Sequence, residues 1–366
     1  MDKSLKQVWF WQLIISPHMI KVAKELTKLG VKVHYVIQQE MTEERKNLGW
    51  TLDSLEGINL HYYKNNLSEI LSKSDTNAVH IIQGLRGNGY IHEVAKYFKV
   101  NNIKFWVVLE TVNTIGFKKY LKKFLYMNIY SKFKKNITGF LSIGYTSPQW
   151  LQSIGVDRNK IFPFTYFLDP STTNTKVSDR FIFIFVGNLN ENKRPQLILE
   201  SLSKINSNVD FELWIVGDGV LRDHLMTLNK KLNINVKWLG NQPIDNVRQF
   251  IANADCLILP SFYDGWGAVA SEAIIEGTPV ICSSSCGVAE VVALSNEGGV
   301  FNFKNKDELY YLIDKQIENG KFSTQQRQKL KKWGKCLTAE KGASYLAEIL
   351  FEKSSSNNLA PWKVEK

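Results

Sequence analysis

Two acids eight residues apart, Asp264 and Glu272, stand in the run Asp264-Gly265-Trp266-Gly267-Ala268-Val269-Ala270-Ser271-Glu272. The chain enters this run from an apolar segment ending Leu259-Pro260-Ser261 and leaves it through Glu276-Gly277-Thr278-Pro279-Val280-Ile281. Gly265 and Gly267 let the backbone approach a ligand closely. The amides of Ala268 and Val269 fall at the start of a helical run, where unpaired N–H groups and the helix dipole favour a diphosphate. Asp264 lies in the loop before the turn and Glu272 a little over one turn inside the helix, so both can face one cavity. A carboxylate beside vicinal hydroxyls accepts two hydrogen bonds, which suits a ribose or a pyranose. The same spacing also fits a solvated loop acid followed by a helix-surface acid.

A second constellation is Val186-Gly187-Asn188-Leu189-Asn190-Glu191-Asn192-Lys193-Arg194-Pro195. Here an apolar strand ends in glycine, and a basic pair precedes a helix with Pro in its first turn, where the missing N–H costs nothing. Lys193 and Arg194 suit a diphosphate leaving group, or are plain surface charges. Gly217-Asp218-Gly219 is a Gly-x-Gly turn without the third glycine of a dinucleotide fingerprint, so nicotinamide binding gains little from it. The chain has no Asp-x-Asp, His-Glu-x-x-His, Gly-x-x-x-x-Gly-Lys-Ser/Thr or Gly-x-Ser-x-Gly, which weighs against metal, P-loop and serine-hydrolase chemistry.

These residues need a scaffold, and the pattern supplies one. Short, nearly continuous apolar runs alternate with helical stretches: Val8–Ile15, Lys32–Ile37, Ala78–Ile82, Lys104–Leu109 and Gly139–Ile143. After a polar, turn-rich stretch at Asp169–Lys176, the runs restart at Phe181–Gly187, Glu212–Gly217, Val236–Gly240, Cys256–Pro260 and Pro279–Cys282. Strands of this kind belong to parallel sheets covered on both faces. The expected fold class is α/β, two Rossmann-like doubly wound domains facing a cleft. Residues 1–172 form the first, 173–340 the second, and 341–366 a helix and tail packing back toward the first. A length of 366 residues suits two domains. Ligands are expected beyond the carboxyl ends of the strands.

Residues 1–170 hold 23 Lys and Arg against 13 Asp and Glu, whereas residues 171–366 hold 23 against 22. A basic first domain favours an anionic partner. Between Phe117 and Ile137 there are seven lysines and no acid. On a helix, Phe117, Tyr120, Leu121 and Phe124 share one face and Lys118, Lys119, Lys122 and Lys123 the other. That is the pattern of an interfacial membrane helix, or of a helix packed on a sheet with solvated lysines outside. No nucleic-acid-binding module accompanies it. The apolar run Val8–Ile15 is too short for a membrane span of ~20 residues, and no cleavage site follows it. Cys256, Cys282, Cys286 and Cys336 lack metal-ligand spacing and are expected to be buried thiols. The expected setting is the cytoplasm, with peripheral attachment to an anionic membrane surface.

The second half resembles the family 4 retaining glycosyltransferases, which have the two-Rossmann GT-B fold. The likeness spans Phe181 to about Val292. It rests on the Val-Gly-x-Leu…Lys start, the Ile215-Val216-Gly217-Asp218-Gly219 turn, Trp238-Leu239-Gly240, Leu259-Pro260-Ser261, the acid-x7-acid element and Glu276-Gly277-Thr278-Pro279-Val280-Ile281. The resemblance implies that Glu272 contacts the donor ribose and Asp264 the donor sugar hydroxyls. It puts Lys193, with Arg194, on the diphosphate, and Gly187, Asn188, Gly217, Gly240 and Gly265 to Val269 around the donor, Trp266 included. Asp264 replaces the family's usual Glu, and Asn188 an Arg found in many members.

In the first domain the likeness is looser. Ser16-Pro17-His18 stands where a glycine pair is common, which makes His18 a cleft candidate or a packing histidine. Gly84 and Arg86, in the loop Gln83–Gly89, are candidates for acceptor or donor contact, and Glu110, at a strand end, is a candidate cleft residue. The expectation is metal-independent transfer of a sugar, with retention, from a nucleotide-diphosphate donor, UDP-linked, to a saccharide or lipid-linked acceptor in cell-envelope or exopolysaccharide synthesis. No cofactor and no nucleic acid are expected. The alternatives are a sugar-nucleotide 2-epimerase of the same fold and a non-catalytic nucleotide- or polysaccharide-binding protein.

Overall fold

The computed structural model describes residues 6–42, 54–75, 77–86, 88–173, 178–207, 209–352 and 359–364. They form two compact units. One takes the described residues up to Asp169 together with Ala339–Val364, and the other is Pro170–Thr338.

The first unit is built on a seven-stranded sheet. Its strands are β1 (Gln7–Trp11), β2 (Lys32–Ile37), β3 (Ile58–Tyr62), β4 (Val79–Gln83), β5 (Phe105–Glu110), β6 (Ile137–Ile143) and β7 (Ile161–Phe164). They lie in the order β3-β2-β1-β4-β5-β6-β7, with every pairing parallel. β1 is buried along its whole length, as a central strand of a covered parallel sheet must be. Trp9 and Trp11 of β1 join Phe98, Phe105 and Phe140 in one apolar core. Burying a Phe-sized side chain contributes about 1.5–3 kcal/mol, so this aromatic layer is a large part of the unit's core. The helix Ala339–Phe351 packs on the helix Pro17–Lys28 within this unit. Tyr345 donates its hydroxyl to the Pro163 carbonyl at 3.0 Å.

The second unit holds six parallel strands: β8 (Phe181–Val186), β9 (Phe211–Val216), β10 (Val236–Gly240), β11 (Cys256–Leu259), β12 (Val280–Ser283) and β13 (Gly298–Phe301), in the order β10-β9-β8-β11-β12-β13. Phe181, Phe183 and Phe185 alternate with Ile182 and Ile184 along β8 and pack into a core with Ile258, Ile281 and Phe301. In both sheets the strand order reverses, at β1/β4 and at β8/β11, and such a reversal opens a crevice beyond the strands' carboxyl ends.

Three strands escape the sequence pattern, and all lie at sheet edges. β3 is half exposed and alternates apolar with polar residues, β7 contains Pro163, and β13 opens on two glycines. An edge strand needs neither a continuous apolar run nor a full set of ladder donors. No helix among the described residues is long and apolar enough to cross a membrane.

Candidate active site

At the β8/β11 reversal of the second unit, the loops that leave these two strands carry Lys193 and Asp264, and the helix that follows carries Glu272. After β8, Gly187 donates its amide to the Val216 carbonyl at 3.0 Å, and Leu189 donates to the Asp218 carbonyl at 2.9 Å. The Gly217 amide donates to the Gly240 carbonyl at 2.7 Å. A Cβ on Gly217 would stand 2.1 Å from the Gly187 carbonyl oxygen, and its φ is +124°, so both space and backbone require glycine there. The ends of β8, β9 and β10 thus form one continuous rim. Asn188 lies exposed on it.

Lys193 follows in a tight turn. Its amide donates to the carbonyl and to the side-chain Oδ1 of Asn190, at 3.1 and 3.0 Å. Its ammonium donates to the carboxylate of Asp264, with both side chains largely buried. The turn is stitched to the loop after β11. Asn192 donates its side-chain amide to the Tyr263 carbonyl at 2.8 Å, and the Phe262 amide donates to the Asn192 carbonyl at 2.7 Å.

Asp264 is held from the other side by the loop after β12. The Gly287 amide donates to the Asp264 carbonyl at 2.9 Å and the Val288 amide to the Trp266 carbonyl at 2.8 Å. Gly267, at φ +97°, turns the chain into the helix Ala268–Ile275, and a Cβ there would meet Leu259 at 2.8 Å and the Asp264 carboxyl carbon at 3.8 Å. The amides of Ala268 and Val269 are free of helical partners by position, since the first turn of any helix has none. Glu272 is the fifth residue of this helix and is half-buried. One lysine, one carboxylate and a glycine-led helix start therefore share one strand-end edge, an arrangement able to hold a diphosphate and polar hydroxyls together.

Two residues of the expected donor set have other work. Trp266 is 2% exposed and donates its indole N–H to the Ser271 hydroxyl at 3.0 Å, so its ring belongs to the core and only its backbone borders the site. Arg194 spends its guanidinium on three backbone carbonyls, those of Pro260 at 2.8 Å, Phe303 at 2.9 Å and Ser261 at 3.2 Å. It is a strut rather than a free cation beside Lys193.

Sequence pattern also missed neighbours of the site. Gly287 lies in the run Ser283-Ser284-Ser285-Cys286-Gly287, a strand-end glycine whose signal was available but had no partner in sequence. Glu276 is fully buried and accepts from Arg248 at 2.6 Å and from the hydroxyls of Ser171 and Thr173. A buried carboxylate with these partners is a structural anchor under the helix end. The four cysteines are buried free thiols. Burial pushes the Cys286 thiol up to about 12, which keeps it protonated beside the Asp264 loop. Among the described residues, no group of three or more His, Cys, Asp or Glu could hold a metal ion.

In the first unit Gly84, Arg86 and Glu110 do come together. They line a cavity of about 310 Å³ at the ends of β4 and β5, with Gln83, Thr111 and Tyr126. Gly87 of the same loop lies outside the described residues. His18 is elsewhere: its ring stacks on Tyr166 at 4.4 Å, and it does not line this cavity. The basic helix runs Lys119–Phe133, with Lys118 as its cap. It buries Tyr126, Tyr130 and Phe133 and leaves Leu121 and Phe124 exposed, at 69% and 68%, with Phe117, just before it, exposed at 83%. Lys118 and Lys119 are exposed, but Lys122 turns inward. Its ammonium donates to the Asn113 carbonyl at 2.7 Å and lines the cavity, and Lys123 is half-buried. The lysines thus divide between the two sides of the helix rather than forming one charged face.

The chain is similar to known proteins in sequence and in fold. Residues 171–334 match the model of the glycosyl transferases group 1 family. The chain is 34% identical to the N-acetyl-alpha-D-glucosaminyl L-malate synthase of Bacillus anthracis over 119 residues, 32% of this chain and 31% of that protein. It is 31% identical to an uncharacterized glycosyltransferase of Methanocaldococcus jannaschii over 146 residues, 39% and 37% of the two chains. The chain thus spans about a third of the length of these curated relatives. Among solved structures, Anabaena HepE in complex with UDP is similar with a TM-score of 0.72 at 14% identity, covering 94% of this chain and 99% of that one. The apo lipopolysaccharide outer core galactosyltransferase WaaB has a TM-score of 0.72 at 15% identity, covering 95% and 100%. Two parallel-sheet units with these neighbours are a GT-B fold, and residues 171–334 of the chain are a glycosyl transferases group 1 domain.

Proposed function

We propose that this protein transfers a sugar from a nucleotide-diphosphate donor, UDP-linked, to a saccharide or lipid-linked acceptor in envelope or exopolysaccharide synthesis. The observation that carries this reading is the Lys193 ammonium on the Asp264 carboxylate beside the glycine-led start of the helix Ala268–Ile275, at the β8/β11 reversal. HepE, with UDP in its solved complex, and two Campylobacter jejuni relatives named for undecaprenol-linked acceptors support the donor and acceptor classes.

In this reading the donor diphosphate takes the Lys193 ammonium and the Ala268 and Val269 amides, while Asp264 accepts hydrogen bonds from the sugar and Glu272 from the ribose. The bond between the anomeric carbon and the phosphate oxygen breaks as the acceptor oxygen bonds that carbon on the same face, so configuration is retained. The acceptor's proton passes to the departing phosphate oxygen. Lysine and amides oppose the charge that grows on the leaving group, the kind of fixed electrostatic help that contributes most where water is excluded. No metal is required for these steps.

The exposed Phe117, Leu121 and Phe124 beside Lys118 and Lys119 support peripheral attachment to an anionic membrane, which would bring a lipid-linked acceptor within reach. A thermal-shift screen against UDP-, GDP- and ADP-sugars in the presence of a chelator tests the donor reading. Ligand at about 100 times its Kd stabilises by about 2.7 kcal/mol, and a melting temperature unmoved by any nucleotide sugar overturns it.

A further inference from the structure

Arg194 stands in the left-handed region at φ +48°, a conformation that costs a residue with a Cβ about 1–2 kcal/mol and is held by its surroundings. What imposes it is visible. The planar fork reaches carbonyls on both sides of the turn, Nε to Pro260, Nη2 to Ser261 just beyond β11, and Nη1 to Phe303 just beyond β13. The guanidinium also lies over the Phe262 ring at 5.7 Å, and that ring meets Phe303 edge-on at 5.6 Å. The arginine fork spreads its donors over three nitrogens in one plane, whereas the donors of a lysine all radiate from one nitrogen.

The geometry points to Arg194 as a positioning residue that straps the Lys193 turn to the ends of β11 and β13 and so fixes where the Lys193 ammonium stands against Asp264. This rests on the reading of Lys193 as a donor contact. The adjoining residue, Asn192, ties the same turn to the same loop through Tyr263 and Phe262, so the turn is pinned at both ends of Lys193. The strap explains why the Arg194 donors are committed to backbone carbonyls although the residue sits beside Lys193.

Arg194→Gly is the informative variant, because glycine accepts the left-handed backbone without strain while the guanidinium is lost. In the full chain, hydrogen exchange at the amides of Lys193 and Phe262 is expected to quicken about tenfold or more, with the amides of β8 and β11 unchanged. UDP affinity is expected to fall about tenfold, and Arg194→Gly added to Lys193→Ala is expected to cost nothing further, since residues acting through one another are not additive. Arg194→Lys should behave like the glycine variant. Unchanged exchange, losses that multiply in the double variant, or full rescue by Arg194→Lys would each overturn the strap. A wild-type chain that failed to bind UDP would sink the donor reading instead, while the exchange measurement would still decide the strap.

Discussion

Lys193 and Asp264 are 71 positions apart in sequence and form an ion pair at the β8/β11 reversal, where the lysine ammonium donates to the carboxylate. The pair joins the two constellations of the proposed donor site, where Asp264, the shorter of the two acidic side chain types, is assigned to the donor sugar. Asp264→Glu lengthens that side chain by one methylene against a fixed loop. The expected outcome is a change in preference among UDP-sugars, with kcat/KM ratios moving by about tenfold, which corresponds to about 1.4 kcal/mol of differential transition-state binding. Unaltered ratios across a panel of donors would show that Asp264 does not read the sugar.

The exposed apolar face of the helix Lys119–Phe133 predicts a separable membrane function. Replacing Phe117, Leu121 and Phe124 by serine removes three side chains that each gain about 1.5–3 kcal/mol on entering an apolar phase. Co-sedimentation with liposomes containing anionic lipid is expected to drop by more than about tenfold, with the melting temperature nearly preserved because these side chains are largely exposed. Wild-type protein that ignored anionic and neutral liposomes alike would contradict the assignment.

Beneath the site, Arg327 holds the buried Asp255 carboxylate at 3.0 Å, and Asp255 in turn accepts the Ile182 amide of β8 at 2.9 Å. Arg327→Met leaves that carboxylate with Lys321, 3.6 Å away, as its remaining cation. A loss of about 3–5 kcal/mol in denaturant unfolding is expected, with part of it restored by adding Asp255→Asn. A loss below about 1 kcal/mol would show the pair to be solvated.

Much of this was legible in the chain itself, and the reasons are physical. β10 matches its sequence-derived bounds because its apolar run ends at a glycine on the rim, and the Asp264-to-Glu272 element announces itself because a Gly-flanked turn and a helix start are local features. Contacts between distant segments have no such local signal. The three carbonyls that claim Arg194 lie 66 to 109 positions away, and the burial of Trp266 depends on what surrounds the turn. Helix periodicity likewise gave the apolar face of Phe117 to Phe124 but not which way Lys122 would turn, since that depends on the carbonyl of Asn113.

Histidines in the first unit predict an acid-sensitive fold. Burial holds His80 at about 4, where Trp11 donates its indole N–H to the ring at 3.2 Å; burial and the neighbouring His61 hold His34 at about 4 as well. An unfolded histidine titrates near 6.5, so between about pH 6.5 and 4 the unfolded chain binds more protons than the folded one. Stability from these residues is therefore complete above about pH 7 and is lost as pH falls through that window. His80 alone accounts for on the order of 3 kcal/mol. His80→Gln should flatten the dependence of melting temperature on pH between 7 and 5, and an unchanged slope would place the titration elsewhere.

The central claim is that the second unit holds a nucleotide-diphosphate donor between Lys193, Asp264 and the helix carrying Glu272. Calorimetric titration of UDP into wild type, Lys193→Ala and Glu272→Ala tests it most directly. Saturable binding by wild type is expected, weakened about 10- to 100-fold in each variant, the loss of one or two charged hydrogen bonds, with melting temperatures preserved. Equal UDP affinity in all three proteins, or none in wild type, would contradict it.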